Sequence, residues 1–528
     1  MTAQSAFKIT YTTAGADMDR FHRDFDLALA DVRGRLGRSY LLRIDGKQVK
    51  GGEPPFTGRS PIDTSIVLGE FQAAGAADVQ RAIQVARAAQ KAWAKTPWPD
   101  RLTIMRRAAA LVRERKFELA AIMSLEVGKS RMESMGEVEE SADLFDYYCQ
   151  IMEENQGYCR PMGHLSPNEH TLSMLRPYGV FGVISPFNFP LALSTGMLSA
   201  ALIAGNAVVF KPPVAASWCT LRLYELCMDA GVPPGVFHYV SGSGKVAGQA
   251  LYATSAVDGM AFTGSKNVGM QILRQLSPVY PKPVLMELGG KNPAVVTASA
   301  DLDKAATGIM RSAFSLQGQK CSACSRVYVD QKVAPELIRN LLAQIRTMRI
   351  GDPTERDVFL GPVINAAAVT TFADAASQAK QHGGEILVGG KRLVDFALAK
   401  GFFVEPTVAK LPLDHPLHGQ ELFLPFLALS TVSSLDEAIA ECNKVEYGLT
   451  AGIFSAEERE VARFFDEVEA GVCYANRAAG ATTGAWPGVQ SFTGWKGSGC
   501  TGKGGCGPYY LMGFMREQCR TVMEQAMP

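Results

Sequence analysis

The stretch from Gly179 to Gly264 constrains the fold more than any other part of the chain. Four short apolar runs, VFGVISP, NAVVFKPP, VFHYVSG and GMAFTG, alternate with segments of helical length: LSTGMLSAALIAG, Trp218 to Ala230, and Lys245 to Ala253. Runs this short and this apolar suit strands buried on both faces, and parallel neighbours need a crossover of a dozen or so residues between them. The alternation therefore predicts an α/β fold with a parallel sheet covered by helices on both sides. A second run of the same kind follows Glu287, with strands expected in PAVVT, SRVYVD and LFLPFLALSTV.

Upstream, AADVQRAIQVARAAQKAW and DRLTIMRRAAALVRERKFELAAIMSL space their apolar residues three and four apart, the helical period. A further helix is expected from about Gly136 to Asn155, followed by a β-hairpin in GYCRPMGHLSPNEHTLSMLRPYG that turns at Ser-Pro-Asn. Residues 1–60 read as an N-terminal appendage, with an amphipathic DRFHRDFDLALADVRGRL and one short strand, LLRIDGKQV, closed by Gly51-Gly52. The expected division is 1–60 for the appendage, 61–157 with 179–286 for the first α/β unit, and 287–496 for the second. The hairpin at 158–178 and the tail at 497–528 belong to neither.

The chain has 528 residues, enough for two or three domains, of which 47% are hydrophobic and 20% charged. With 53 Lys and Arg against 52 Asp and Glu, the net charge is +1, so no excess field draws the protein to nucleic acid or to a membrane surface. A small-molecule substrate is the expected partner. Eleven cysteines lack framework spacing, and MTAQSAFKITYTTAG has no basic-then-apolar signal pattern, so a reducing, cytoplasmic setting is expected. The long apolar stretch from Gly179 to Phe210 is broken by Pro186, Asn188 and Pro190, which argues against a membrane span.

Three segments carry the chemistry. Cys321 lies in the short polar GQKCSACSRVYV beside Lys320, a cation expected to favour the thiolate. Asn188, in PFNFP, follows a strand, and ligands of open α/β sheets gather at such carboxyl ends. Glu287, in MELGGKNP, ends an apolar run where burial raises an acid's pKa toward the range of a general base, and two glycines after it allow close backbone approach. A thiolate attacks an aldehyde, an amide holds the resulting oxyanion, and an acid activates water. Cys324 completes a C-x-x-C, but no second pair stands at zinc spacing, so it is read as structural.

These segments, in this order, resemble the aldehyde dehydrogenase superfamily from about residue 60 to the C-terminus. The resemblance implies a Rossmann-type cofactor domain, an α/β catalytic domain, and a small β oligomerisation domain built from the hairpin and the tail, hence a homodimer or larger homo-oligomer. It assigns Cys321 as nucleophile, Asn188 with the Cys321 amide as oxyanion donors, and Glu287 as the base. For NAD it implies contacts at Ser185, Pro186, Phe187, Lys211, Gly264, Ser265, Leu288, Glu421 and Phe423. The turn GSKNVG is itself a weak signal, although a helix N-terminus favours pyrophosphate. Many NAD-using members carry an acid after the Lys-Pro; here KPPVAAS has Val214, so rejection of NADP is not expected. His415, His418 and Glu421 are not assigned to a metal, because Pro416 opposes a regular helix that would align them.

The string GATTGAWPGVQSFTGWKGSG resembles the branch that oxidises glutamate γ-semialdehyde, the 1-pyrroline-5-carboxylate dehydrogenases. That resemblance implies a substrate carboxylate held by backbone at Gly484 and Ala485, a hydroxyl from Ser322, and packing by Phe492. Glycine-rich backbone suits such an anion nest. Thr493 departs from the usual Gly after that Phe. The alternatives are a dehydrogenase for another semialdehyde or an aromatic aldehyde, a non-catalytic relative that keeps the fold, and acyl transfer to coenzyme A, against which Glu287 favours water.

Overall fold

A computed structural model describes residues 17–499 and 502–524. Five parallel strands make the centre of the first sheet, in the order Val284–Glu287, Gly259–Thr263, Val180–Ile184, Ala207–Lys211 and Phe237–Tyr239. All but the terminal Glu287 are buried, as expected for strands covered on both faces. Helices Ala192–Ile203 and Ser217–Ala230 provide the crossovers between successive strands.

The sheet does not stop there. Leu42–Ile44 and Lys47–Val49 extend its edge as an antiparallel pair, so the segment set apart as an appendage is partly built into the first unit. LLRIDGKQV is two strands rather than one because Asp45 and Gly46 both take positive φ, 58° and 69°, in a two-residue hairpin turn. Helix Met18–Arg33 also joins this core, burying Phe21, Phe25, Leu29 and Val32 along one face. Arg131 anchors it, with Nη2 donating to Asp26 Oδ1 at 2.5 Å and the guanidinium 4.5 Å from the centre of the Phe25 ring.

Helix Arg131–Glu154 starts five residues before the expected Gly136, capped by Ser130, whose side chain accepts from the Glu133 amide. The second sheet runs Glu385–Val388, Thr407–Lys410, Phe426–Val432, Cys324–Asp330, Asn292–Val296, Thr450–Phe454 and Val472–Ala475, parallel except for its first strand. The hairpin forms as Cys159–Pro161 against Glu169–Pro177, and Met515–Met523 pairs along the whole of the longer strand. From Arg516 to Met523 that last strand is exposed. Among the described residues no helix is long and apolar enough to cross a membrane.

Candidate active site

Four adjacent strands of the first sheet deliver the site from their carboxyl ends. Ile184 pairs with Lys211, and Thr263 with Glu287, so Ser185 to Asn188, Lys211, Gly264 and Glu287 leave neighbouring strands at one level. The Gly264 amide donates to the Glu287 carbonyl at 3.1 Å. The second sheet supplies the opposite wall from its amino ends, where Cys321 precedes strand Cys324–Asp330, and Glu421 with Phe423 precedes Phe426–Val432.

The Gly-Gly after Glu287 lets these walls meet. A Cβ on Gly289 would lie 2.2 Å from a Glu421 carboxylate oxygen, and one on Gly290 only 2.3 Å from the Cys321 carbonyl. Glu421 Oε1 accepts from the Gly290 amide at 2.8 Å. Just upstream of the thiol, Leu316, Gln317 and Gly318 occupy the left-handed region in succession, a backbone cost of the kind that accumulates at functional sites.

Asn292 fixes the nucleophile segment: its Nδ2 donates to the carbonyls of Cys321, at 2.7 Å, and Ala323, at 2.9 Å. Thr482 Oγ1 donates to the Ser322 carbonyl at 2.7 Å. Sequence reasoning missed both residues; the only signal for Asn292 was an amide at the head of an otherwise apolar strand. Asn188 is buried and donates through Nδ2 to the Gln319 carbonyl at 2.9 Å, two residues before Cys321.

The electrostatics correct one expectation. The Lys320 ammonium pairs with Glu133 at 2.6 Å and with Ser315 Oγ at 2.7 Å, and the thiol is not held ionised. Burial, reinforced by Glu287 and Glu421, pushes the Cys321 thiol up to about 12, against a smaller opposing pull from the Ser322 and Cys321 amides. Burial also raises Glu287 to about 8, with the Gly505 amide opposing, and its Oε2 has no hydrogen-bond partner. Glu287 is thus mostly protonated at neutrality, ionises through about pH 8, and has one oxygen left for a ligand or water.

Cys321, Ser322, Glu287, Gly484, Ala485 and Phe492 all line one cavity of about 440 Å³. Gly484 has φ 99°, and Arg477 Nη2 holds its carbonyl at 3.0 Å. The amides of Gly484 and Ala485 donate to no acceptor among the described residues. The tail, too, reaches the site: the Leu288 amide donates to the Ser498 carbonyl at 2.9 Å, and Gly505 and Cys506 line the cavity. The sequence reading had left these tail residues out of the site.

The residues expected to hold a dinucleotide lie outside that cavity. Lys211 is buried at the end of its strand, its Nζ donating to the Pro212 carbonyl at 2.6 Å, and burial lowers it to about 8. Ser265 opens helix Lys266–Leu276 without a side-chain cap, which leaves the first amides for an anion. Gly269 brings that helix against Leu288, where a Cβ would lie 2.6 Å from the leucine side chain. Phe187 and Phe423 meet edge to face with ring centres 6.0 Å apart. Ser185 accepts a hydrogen bond from Ser194 at 2.8 Å, and Val214 is 42% exposed. These residues fit a dinucleotide along the strand ends. His418 instead stacks on Tyr328 with Nε2 2.9 Å from Ser430 Oγ, and the Cys324 Sγ lies 3.4 Å from the Arg326 carbonyl.

A nucleotide-type sheet end opposed to a half-buried thiol and a carboxyl with one bare oxygen defines an α/β enzyme of covalent redox catalysis. The chain belongs to the aldehyde dehydrogenase family, whose model matches residues 49–519. It is 35% identical over 507 residues to a 1-pyrroline-5-carboxylate dehydrogenase of Geobacillus sp. (strain WCH70), covering 95% of this chain and 96% of that one. A crystal structure of 1-pyrroline-5-carboxylate dehydrogenase from Thermus with bound NAD superposes with a TM-score of 0.92 at 33% identity, covering 99% of this chain and 100% of that one. Proline utilization A from Bdellovibrio bacteriovorus gives 0.91 at 32% identity, with 96% of this chain matched to 52% of a longer one.

Proposed function

We propose that this protein oxidises L-glutamate γ-semialdehyde to glutamate with NAD, through a thioester on Cys321. The observation that carries the reading is the shared cavity: nucleophile, bare Glu287 oxygen, and the two unengaged amides of Gly484 and Ala485. Relatives named 1-pyrroline-5-carboxylate dehydrogenase, at 35% identity, support the substrate.

The Cys321 thiolate adds to the aldehyde carbon, and the oxyanion is met by the Asn188 amide and the Cys321 N–H. NAD bound along the strand ends would supply the two-electron hydride acceptor that this oxidation needs. Glu287 then draws a proton from water, which attacks the thioester and returns the thiol. Gly484 and Ala485 grip the substrate carboxylate, Ser322 adds a hydroxyl, and Phe492 packs on its chain. Lys211 and Glu421 would hold the two riboses of NAD, Gly264 and Ser265 the pyrophosphate, and Phe423 the nicotinamide ring, with Ser185, Pro186, Phe187 and Leu288 walling the cleft.

We assign 61–157 with 179–286 to the cofactor and 287–496 to catalysis. The exposed three-stranded sheet of the 158–178 hairpin and the tail after 497 serves subunit pairing in a homo-oligomer. A reducing, cytoplasmic location fits the cysteines, all unpaired among the described residues. A second reading, an aromatic aldehyde as substrate, is favoured by the cavity's Tyr148, Phe189, Phe359 and Tyr510. Steady-state rates on a panel of aldehydes with NAD and NADP separate the two.

A further inference from the structure

We propose that the buried Lys129–Glu137 ion pair is a positioning device that holds the Asn188 loop in register with the Cys321 segment. Both side chains are wholly buried and in direct contact. Glu137 Oε1 accepts from the Leu191 amide at 2.7 Å and the Ala192 amide at 3.1 Å, at the start of helix Ala192–Ile203. The Lys129 ammonium stands 3.6 Å from the centre of the Phe189 ring. The pair thus grips residues 189, 191 and 192, immediately beyond the oxyanion donor.

The same helix reaches the nucleophile. Glu133 lies one turn before Glu137, on the same face, and takes the ammonium of Lys320, the residue before Cys321. The Lys320 ammonium lies 5.9 Å from the centre of the Phe189 ring, so this one ring is within reach of both ammonium groups. One helix face, through two carboxylates, therefore sets the separation of the Asn188 amide and the Cys321 thiol. A buried ion pair is weak evidence for stability, since apolar side chains fill such space as well. Its directed bonds to two amides and one ring suit it to fixing geometry, where a displacement of about 1 Å can cost about a hundredfold in rate.

The inference rests on the reading of Asn188 as oxyanion donor, and the experiment separates the two. Lys129→Met with Glu137→Gln removes both charges and keeps an amide oxygen for Leu191 and Ala192. In the otherwise intact enzyme this double variant should lower kcat by about tenfold or more, with KM, NAD binding and Tm changed little. In an Asn188→Ala background it should change kcat by less than about twofold, because a donor already absent cannot be displaced. Lys129→Arg, which keeps the charge on Phe189, should retain most of the rate. Phe189→Leu leaves the buried charges alone and should show the same dependence on Asn188, so the test survives if the double variant does not fold. Equal losses in both backgrounds would overturn the positioning role, whereas an Asn188→Ala enzyme of full activity would overturn the oxyanion assignment instead.

Discussion

A thiol that burial holds near 12 is not a standing nucleophile, so ionisation of Cys321 must be coupled to ligand binding or to proton transfer within the site. In the free enzyme its alkylation by iodoacetamide should climb with pH without levelling below about pH 10; a plateau near neutrality would contradict the electrostatics. Cys321→Ser should abolish oxidation and leave NAD binding intact, while Cys324→Ser should be mild. Glu287 separates two roles. Above its pKa of about 8 its carboxylate opposes the thiolate, so at about pH 9 Glu287→Gln should speed alkylation if Glu287 only activates water, and slow it if Glu287 deprotonates Cys321. The same variant should give a burst of reduced cofactor followed by a slow steady rate, and water attack in the unmodified enzyme should rise with pH through about 8, as the base ionises. That Cys321 and Glu287 share one cavity, with Asn188 bonded two residues before the thiol, follows an expectation that was legible because each sits in a distinctive string. The partner of Lys320 was not, because Glu133 is far away in sequence and adjacency along the chain says nothing about where a long side chain folds.

At the level of elements, the paired glycines after Glu287 were legible as a place of close approach, but not what approaches. Gly290→Ala sets a methyl against backbone, the Cys321 carbonyl, and should lower kcat by about ten- to a hundredfold with some loss of Tm. Gly289→Ala meets the end of a side chain, Glu421, which can turn aside, and should act mainly on the KM for NAD. Equal effects on kcat in the two variants would mean that the two sheets do not close on Cys321 as described. The parallel alternation after Gly179 was visible because its strands are continuous and apolar. Strands Thr407–Lys410 and Thr450–Phe454 escaped notice because they are four or five residues long and carry Gly, Thr or Lys, and Val472–Ala475 because four residues give periodicity too few positions to act on.

At the scale of the molecule, two sheets present opposite ends to one cleft, the first its carboxyl ends and the second its amino ends. The cavity is completed by Gly505 and Cys506 from the tail, and that long-range assembly is what the linear reading did not supply, although it had drawn Gly484, Ala485 and Phe492 into the site from their string. The exposed Val214 beyond Lys211 gives a test on the cofactor side: NADP should be used, though less well than NAD, and Val214→Glu should widen the gap by placing like charge near the 2′-phosphate. Equal loss for both nicotinamides would remove position 214 from the ribose. On the substrate side, Ser322→Ala should raise KM for the semialdehyde and leave that for pentanal almost unchanged. The central claim is that the Gly484 and Ala485 amides are kept for a carboxylate, and sites built to pair such donors reject analogues that leave them unpaired. The most direct measurement is kcat/KM for L-glutamate γ-semialdehyde and for pentanal with NAD on the unmodified enzyme. A preference for the semialdehyde of about a hundredfold or more is expected; comparable values would contradict the account.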